Sequence, residues 1–386
     1  MSTVAFASNP ALTDRLPADA IPPGVARLLA ATGPARMMAA RGMAPLRPAD
    51  LAVAVYQLSH DLDDAVRVAA NDAPVKLPDQ VIVSMLREPL PAPVLHFLGC
   101  LLPMSRVEAI ETLLYNPHTP DETFVVLGKR LPEREVEIIC QNEARFLRSP
   151  EIVVAVFANK AARMSSVNRI LELCARNNVV VDIPAYDEIV RAILSDPNAI
   201  DGTSDDLFRR AAEVATDEKL GAEALAAEAA RVAKVAADSE EEEEEEPEEK
   251  KKSAIIDFGR LRIYEKVRLA MFGNAYARSN LMRDPNRMVA MTVIKSPMIT
   301  DNEVAAAACN RTVHEDVIRH ISNQREYMKN YVVRKGLVGN PKTPLPNALR
   351  MLPTLTKSDL KRLAKSKNIP SAISATAKRI LTTRGS

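Results

Sequence analysis

Histidine and cysteine are the residue types best suited to catalysis or metal binding, and the five histidines and four cysteines of this chain are spaced for neither. His314 and His320 bracket an acidic pair in TVHEDVIRH. They stand six residues apart, off a common helix face, whereas the zinc-protease pattern needs two histidines four apart around a glutamate. His96, in the apolar run PVLHFLG, reads as a core histidine. His60, in LSHDLDD, reads as a surface partner of its acidic neighbours, and His118 as an exposed turn residue. Cys100, Cys140, Cys174 and Cys309 form no CxxC pair and read as free thiols of a reducing cytoplasm. Asp61, Asp63 and Asp64 suit the positive end of a helix dipole better than a catalytic pair. No dinucleotide or phosphate-binding glycine loop and no GxSxG elbow occurs. The expectation is a chain that is not an enzyme, with no catalytic residue, no cofactor and no metal.

The chemistry that remains is electrostatic. The formal charge of +1 hides a division. Residues 251–386 carry 26 basic and 9 acidic groups, a net of +17, and residues 1–250 carry the opposing net of −16. Arg283, Arg287, Arg319, Arg325, Arg334 and Lys335 recur along the first part of the basic half. Lys361, Arg362, Lys365, Lys367, Lys378 and Arg379 cluster near its end. Aligned on one face, such cations could bind an acidic protein surface or the chain's own acidic run; they could equally track a phosphate backbone, or serve solubility alone. Phe and Tyr total only 15, so single-strand stacking has little support.

The elements that must position these residues are helices. Twenty-seven prolines, 12 glycines and no tryptophan suit short helices joined by proline-marked turns. A Ser or Thr followed three residues later by an acid recurs as a capping-box pattern. It occurs at Ser105/Glu108, Thr119/Glu122, Thr300/Glu303 and Thr312/Glu315, with Thr356/Asp359 a shorter-armed variant. Ser149-Pro150 and Thr343-Pro344 supply cap and proline without the box. Intervals of 12–14 residues between several of these starts each fit a helix of about ten residues plus a turn. The predicted order is a loosely ordered leader with short helices (1–45), a helical repeat domain (46–198), an Ala/Glu-rich helix with an acidic low-complexity linker (199–254), and a basic helical repeat domain (255–386). The linker centres on Glu240–Lys252, too charged to bury and expected to be disordered. No run of 18 apolar residues is present, so no transmembrane helix is expected, and the first residues lack the pattern of a secretory signal.

Asn116-Pro117-His118-Thr119-Pro120 matches Asn340-Pro341-Lys342-Thr343-Pro344 at four of five positions, on opposite sides of the acidic linker. These turns, with paired apolar helices such as Glu122–Gly128 and Val136–Cys140, resemble the HEAT and armadillo class of helical repeats, including its degenerate bacterial versions. The resemblance covers about two thirds of the chain, although HEAT units are longer, near 40 residues. It implies an all-α fold, an α-solenoid of short antiparallel helix pairs interrupted by the acidic linker. It also implies a macromolecular partner. The expected function is a noncatalytic protein-interaction scaffold or adaptor with a protein partner of acidic character. The alternative is a nucleic-acid-binding repeat protein that uses the basic C-terminal region.

Overall fold

The computed structural model describes residues 10–31, 33–203, 205–219, 221–222, 258–366 and 369–385. Among them every regular element is a helix. The expected acidic linker at Glu240–Lys252 lies outside the described residues, as do residues 1–9 of the leader and Lys367. No described helix is long and apolar enough to cross a membrane. The chain divides into two compact units, residues 1–182 and 183–386.

Unit 1 contains α1 (Pro10–Thr13), α2 (Pro23–Leu29), α3 (Pro34–Ala40), α4 (Pro48–Leu58), α5 (Asp64–Lys76), α6 (Asp79–Leu86) and α7 (Ala92–Leu101). It continues with α8 (Val107–Tyr115), α9 (Asp121–Gly128), α10 (Glu133–Gln141), α11 (Glu143–Arg148), α12 (Glu151–Ala158) and α13 (Met164–Arg176). Proline occupies the first turn of α2, α3, α4 and α7 and the N-cap of α6, α9, α10 and α12. Its fixed φ starts a helix, and its missing N–H would have had no intrahelical partner there. Alternate helices pack on one another: α4 on α6, α6 on α8, α8 on α10 and α10 on α13 form one row, while α5, α7, α9 and α12 form a second. Between the rows lies a core that includes fully buried Leu95, Ile110, Leu113, Leu127 and Val136. Each such side chain contributes roughly 1.5–3 kcal/mol by leaving water.

Unit 2 contains α14 (Tyr186–Ser195), α15 (Asp205–Thr216), α16 (Ile263–Phe272), α17 (Ala275–Leu281), α18 (Arg287–Ile294) and α19 (Asp301–Cys309). After these come α20 (Glu315–Asn323), α21 (Tyr331–Gly339), α22 (Leu345–Met351), α23 (Lys357–Lys365) and α24 (Ser371–Gly385). Here too α16 packs on α18, α18 on α20 and α19 on α21, while α23 pairs with α24. The expected first repeat domain ends at 198, with 199–254 between the domains. In the structure α14 and α15 both pack on α16, inside unit 2. An aromatic ring and two main-chain carbonyls of this segment explain that. Phe208 of α15 receives the buried Arg268 guanidinium at 4.8 Å and stands edge-on to Phe272 at 6.5 Å. The Asn274 amide donates to the carbonyls of Val214 and Asp217, both at 2.9 Å.

The Asn-Pro-x-Thr-Pro turns are clamps between alternate helices. The Asn116 amide, just past α8, donates to the carbonyls of Leu86 (2.7 Å) and Glu88 (3.2 Å) at the end of α6. Its side-chain oxygen accepts from the His118 N–H at 2.9 Å, and its main-chain oxygen from the Thr119 N–H at 3.1 Å. Asn340, past α21, repeats each bond: it donates to Ala308 and Asn310 at 3.0 Å and accepts from Lys342 (3.0 Å) and Thr343 (3.1 Å). Asn159, past α12, does the same without a following proline, tying itself to Gly128 and Leu131 at 2.8 Å. Each clamp satisfies two carbonyls that a helix end leaves without partners.

The capping expectations divide. Thr300/Glu303 forms the full box, and Thr356 accepts from the Asp359 N–H. Thr119 and Thr343 do not cap the following helix. Their hydroxyls donate backward, to the carbonyls of Leu113 (2.7 Å) and Leu337 (2.6 Å), because proline already holds the N-cap position. Helix α8 begins after Arg106, so Ser105 is not its cap, and α20 is capped by His314 rather than Thr312. Ser149 is displaced by Pro150 in the same way, and its hydroxyl donates to Asp121.

Candidate basic interface

Several of the histidines, cysteines and aspartates make contacts within the fold. Buried His96 meets the Thr123 hydroxyl at 3.0 Å and the Cys100 sulfur at 3.6 Å, a Cys–His–Thr arrangement on α7 and α9. Burial sets its chemistry. It pushes the Cys100 thiol up to about 11 against the pull of Arg130, and pushes His96 below the ordinary imidazole range against the pull of Glu122. A thiol held that high beside a base held low is not a nucleophile at neutral pH. Cys174 is likewise pushed up to about 11 by burial. His60 is not paired with its acidic neighbours; its ring nitrogens contact the carbonyls of Thr13 (2.6 Å) and Tyr56 (3.1 Å). Of the three aspartates beside it, Asp63 caps α5, whereas Asp61 is buried against Arg36. No group of three His, Cys, Asp or Glu suited to a metal ion occurs among the described residues.

The basic residues expected to form an interface have three fates. Some are neutralised inside unit 2. Arg287 pairs with Asp316, Arg319 with Glu315 (2.5 Å) and Asp316 (3.3 Å), and Lys335 and Arg362 share Asp359 at 2.9 and 3.6 Å. Others meet a hydroxyl or a ring: Arg283 contacts the Ser279 hydroxyl, and half-buried Arg334 lies 5.8 Å over the Tyr331 ring. The rest, Arg325, Lys361, Lys365, Lys378 and Arg379, are exposed and make no ion pair among the described residues. Lys361 and Lys365 stand one turn apart on α23, opposite its buried Leu360 and Leu363.

The structure adds a groove that the sequence reading missed. The end of α19, α21 and α23 enclose about 470 Å³ lined by Cys309, Arg311, Val332, Lys335, Arg362 and Leu363. Arg311 is exposed and has no ion pair among the described residues. Cys309 is exposed as well, yet the packing on its inner side holds its thiol above the ordinary range, against the pull of Lys335 and Arg362. One carboxylate, Asp359, pairs with two of these cations, Lys335 and Arg362. It is anchored by the Tyr331 hydroxyl, Lys335 and Thr356, which outweigh the cost of its burial and hold its carboxyl down at about 2. Gly336 makes the groove possible. A Cβ there would stand 2.7 Å from the Cys309 sulfur and 3.1 Å from the Cys309 nitrogen, so only glycine lets α21 approach α19 this closely.

Unit 1 has a groove of its own along the row α6, α8, α10 and α13. Two hollows of about 480 and 510 Å³ share Glu111 and Tyr115, and Tyr115 is 68% exposed. Its charges pair from helix to helix: Arg87 with Glu108 (3.4 Å), Glu111 with Arg134 (2.9 Å) and Glu133 with Arg163 (2.5 Å). No family model, curated protein or solved structure was found to match the chain.

Proposed function

We propose that this chain is a noncatalytic interaction scaffold or adaptor, a HEAT- or armadillo-like α-solenoid that works in the cytoplasm and holds protein partners along its helix rows. The single observation that carries this reading is the open groove along α6, α8, α10 and α13, with an unburied aromatic at its centre. Tyr115 is large, amphipathic and exposed where the two hollows meet. Aromatic side chains in such places are the usual anchors of protein interfaces. Alternate-helix packing and the repeated asparagine clamps support the solenoid. The burial that pushes the Cys100 thiol up to about 11 and His96 down favours a packing role for this pair, which supports the noncatalytic reading.

The test is affinity capture with the full chain and with its Tyr115→Ala variant, followed by binding measurements on the purified partner. The expected result is a defined protein whose affinity falls at least about tenfold with the variant, the loss typical of an anchor residue. Capture that is indifferent to Tyr115, together with a defined small-molecule turnover, overturns the reading.

A second reading, nucleic-acid binding, has its own support in Lys361, Lys365, Lys378 and Arg379, which are exposed and carry no ion pair among the described residues. Phosphate recognition by these four cations would make duplex affinity fall steeply between about 50 and 200 mM salt.

A further inference from the structure

We propose that the groove between α19, α21 and α23 docks a short segment of a partner protein in which acidic and apolar side chains are interleaved. The inference rests on the scaffold reading and deepens it by naming the chemistry of one partner.

Charge complementarity supplies the first argument. Arg311, Lys335 and Arg362 converge on the groove from three separate elements, and Asp359 answers only two of them. Arg311 has no ion pair among the described residues, and Arg362 keeps a long 3.6 Å contact with its side chain 67% exposed. The groove therefore holds more positive charge than it neutralises. A ligand bringing carboxylates replaces water around cations that are already positioned, which favours both encounter and register.

The walls supply the second argument. Between the cations the lining is apolar: Val332 is 51% exposed, with Leu363 and the bare Gly336 and Gly339 beside it. A Cβ on Gly339 would meet nothing within 4 Å, so that wall is open to an incoming chain. An extended peptide sends successive side chains to opposite sides. An alternating acidic and apolar segment could thus present carboxylates to Arg311 and Arg362 and hydrocarbon to Val332.

The same features disfavour a nucleic-acid strand in this groove. A phosphodiester backbone is uniformly anionic, and Asp359 stands fixed and ionised between Lys335 and Arg362. Elsewhere in unit 2, Arg287 and Arg319 are engaged by Glu315 and Asp316. Tyr331, the aromatic at the groove, has its hydroxyl tied to Asp359.

The experiment is fluorescence anisotropy with the full chain and a labelled peptide of roughly ten residues, long enough to span about 33 Å when extended. The peptide alternates Glu with Leu, and its control replaces every Glu by Gln. The expected result is salt-dependent binding of the Glu peptide that Arg311→Glu weakens at least about tenfold. Arg311 is exposed and unpaired among the described residues, so this variant should fold as the parent does. Val332→Glu, on the apolar wall, should weaken binding as well. Equal binding of the Gln peptide, or indifference to both variants, overturns the proposal. So does a DNA duplex that binds more tightly than the peptide and is itself released by Arg311→Glu. Peptide binding that emerges only after deletion of Glu240–Glu249 assigns the groove to the chain's own acidic run and overturns the foreign occupant. Loss of the docking proposal leaves capture through Tyr115 untouched, so the two readings fail separately.

Discussion

The two units use one helical construction and finish their grooves in opposite ways. In unit 1 every cation of the groove is paired between alternate helices, Arg87–Glu108, Glu111–Arg134 and Glu133–Arg163, leaving an exposed aromatic between hollows with no unpaired cation among the described residues. In unit 2 the corresponding cations outnumber the acids, and Asp359 alone answers Lys335 and Arg362. Exposed ion pairs stabilise little, about 0–1 kcal/mol each. The pairing in unit 1 therefore matters less for folding than for the surface it leaves, where recognition falls to shape and to Tyr115. The surface of unit 2 leaves recognition to charge.

If the construction is shared, its clamps should be interchangeable in cost. Asn116→Ala in unit 1 and Asn340→Ala in unit 2 each strip partners from two helix-end carbonyls. Leaving a buried acceptor unsatisfied costs about 1–3 kcal/mol, and the second carbonyl of each pair is only partly buried and costs less, so each variant should lose about 2–4 kcal/mol in denaturant unfolding. The aspartate replacements should lose more, because a carboxylate set against two carbonyls cannot donate. A large loss in one unit with none in the other would break the equivalence and reduce the repeated turn to a coincidence of sequence.

The glycines sharpen the comparison. Gly99 of α7 and Gly336 of α21 both sit where a Cβ has no room, but they face different obstacles. At Gly99 the nearest atoms are side-chain methyls, Thr123 Cγ2 at 2.6 Å and Leu113 Cδ2 at 3.0 Å, which a change of rotamer moves without shifting the backbone, at the cost of the Thr123–His96 contact. At Gly336 the obstacles include backbone, the Cys309 nitrogen at 3.1 Å and the Ala308 carbonyl carbon at 3.2 Å, which no change of rotamer moves. Overpacking costs about 1–3 kcal/mol. Gly336→Ala is expected near the upper end of that range and Gly99→Ala near the lower, measured by thermal or denaturant unfolding. The reverse order would mean that the α19–α21 contact gives way more easily than the α7 layer.

These positions also mark what the sequence could and could not disclose. Helices were legible because proline and the capping residues act locally, and Thr300 and Thr356 cap as their spacing predicts. Thr119 and Thr343 misled, since a hydroxyl beside a proline N-cap can turn back to the preceding helix, and spacing alone does not say which way it turns. Asn159 stayed hidden because its clamp works without the proline that flags Asn116 and Asn340. The interface was half legible. Counting charges located the basic half, but whether Arg287 is available depends on Asp316, 29 residues away, and that pairing is set by turn lengths and helix rotation. Arg311 escaped notice as a single cation after an ordinary helix end, and the groove exists only because Gly336 brings two helices together.

The smallest expected effect separates the two carboxylates at the centre of each ion-pair network. Asp121 of unit 1 is half-buried, and that desolvation raises its carboxyl, but hydrogen bonds from Arg148 and Ser149 and the charges of Arg145 and Arg148 more than reverse this, so it lies below its usual range. Asp359 of unit 2 is lowered from 3.8 to about 2, first by the Tyr331 hydroxyl and then by Lys335. A folded-state pKa below the unfolded one means that the carboxylate's contribution is present above the unfolded value. It is lost as pH falls toward the folded one, so the contribution of Asp359 should be full above about pH 4 and gone near pH 2. The melting temperature of Asp359→Asn should lie below that of the parent at pH 6, and the gap should close as the pH is lowered through that window. A gap that stays constant with pH would show that Asp359 acts through packing and neutral hydrogen bonds. Its charge, although still present at neutral pH, would then not be held in place by Lys335 and Tyr331, and the argument separating a peptide from a phosphate backbone would lose its footing in unit 2.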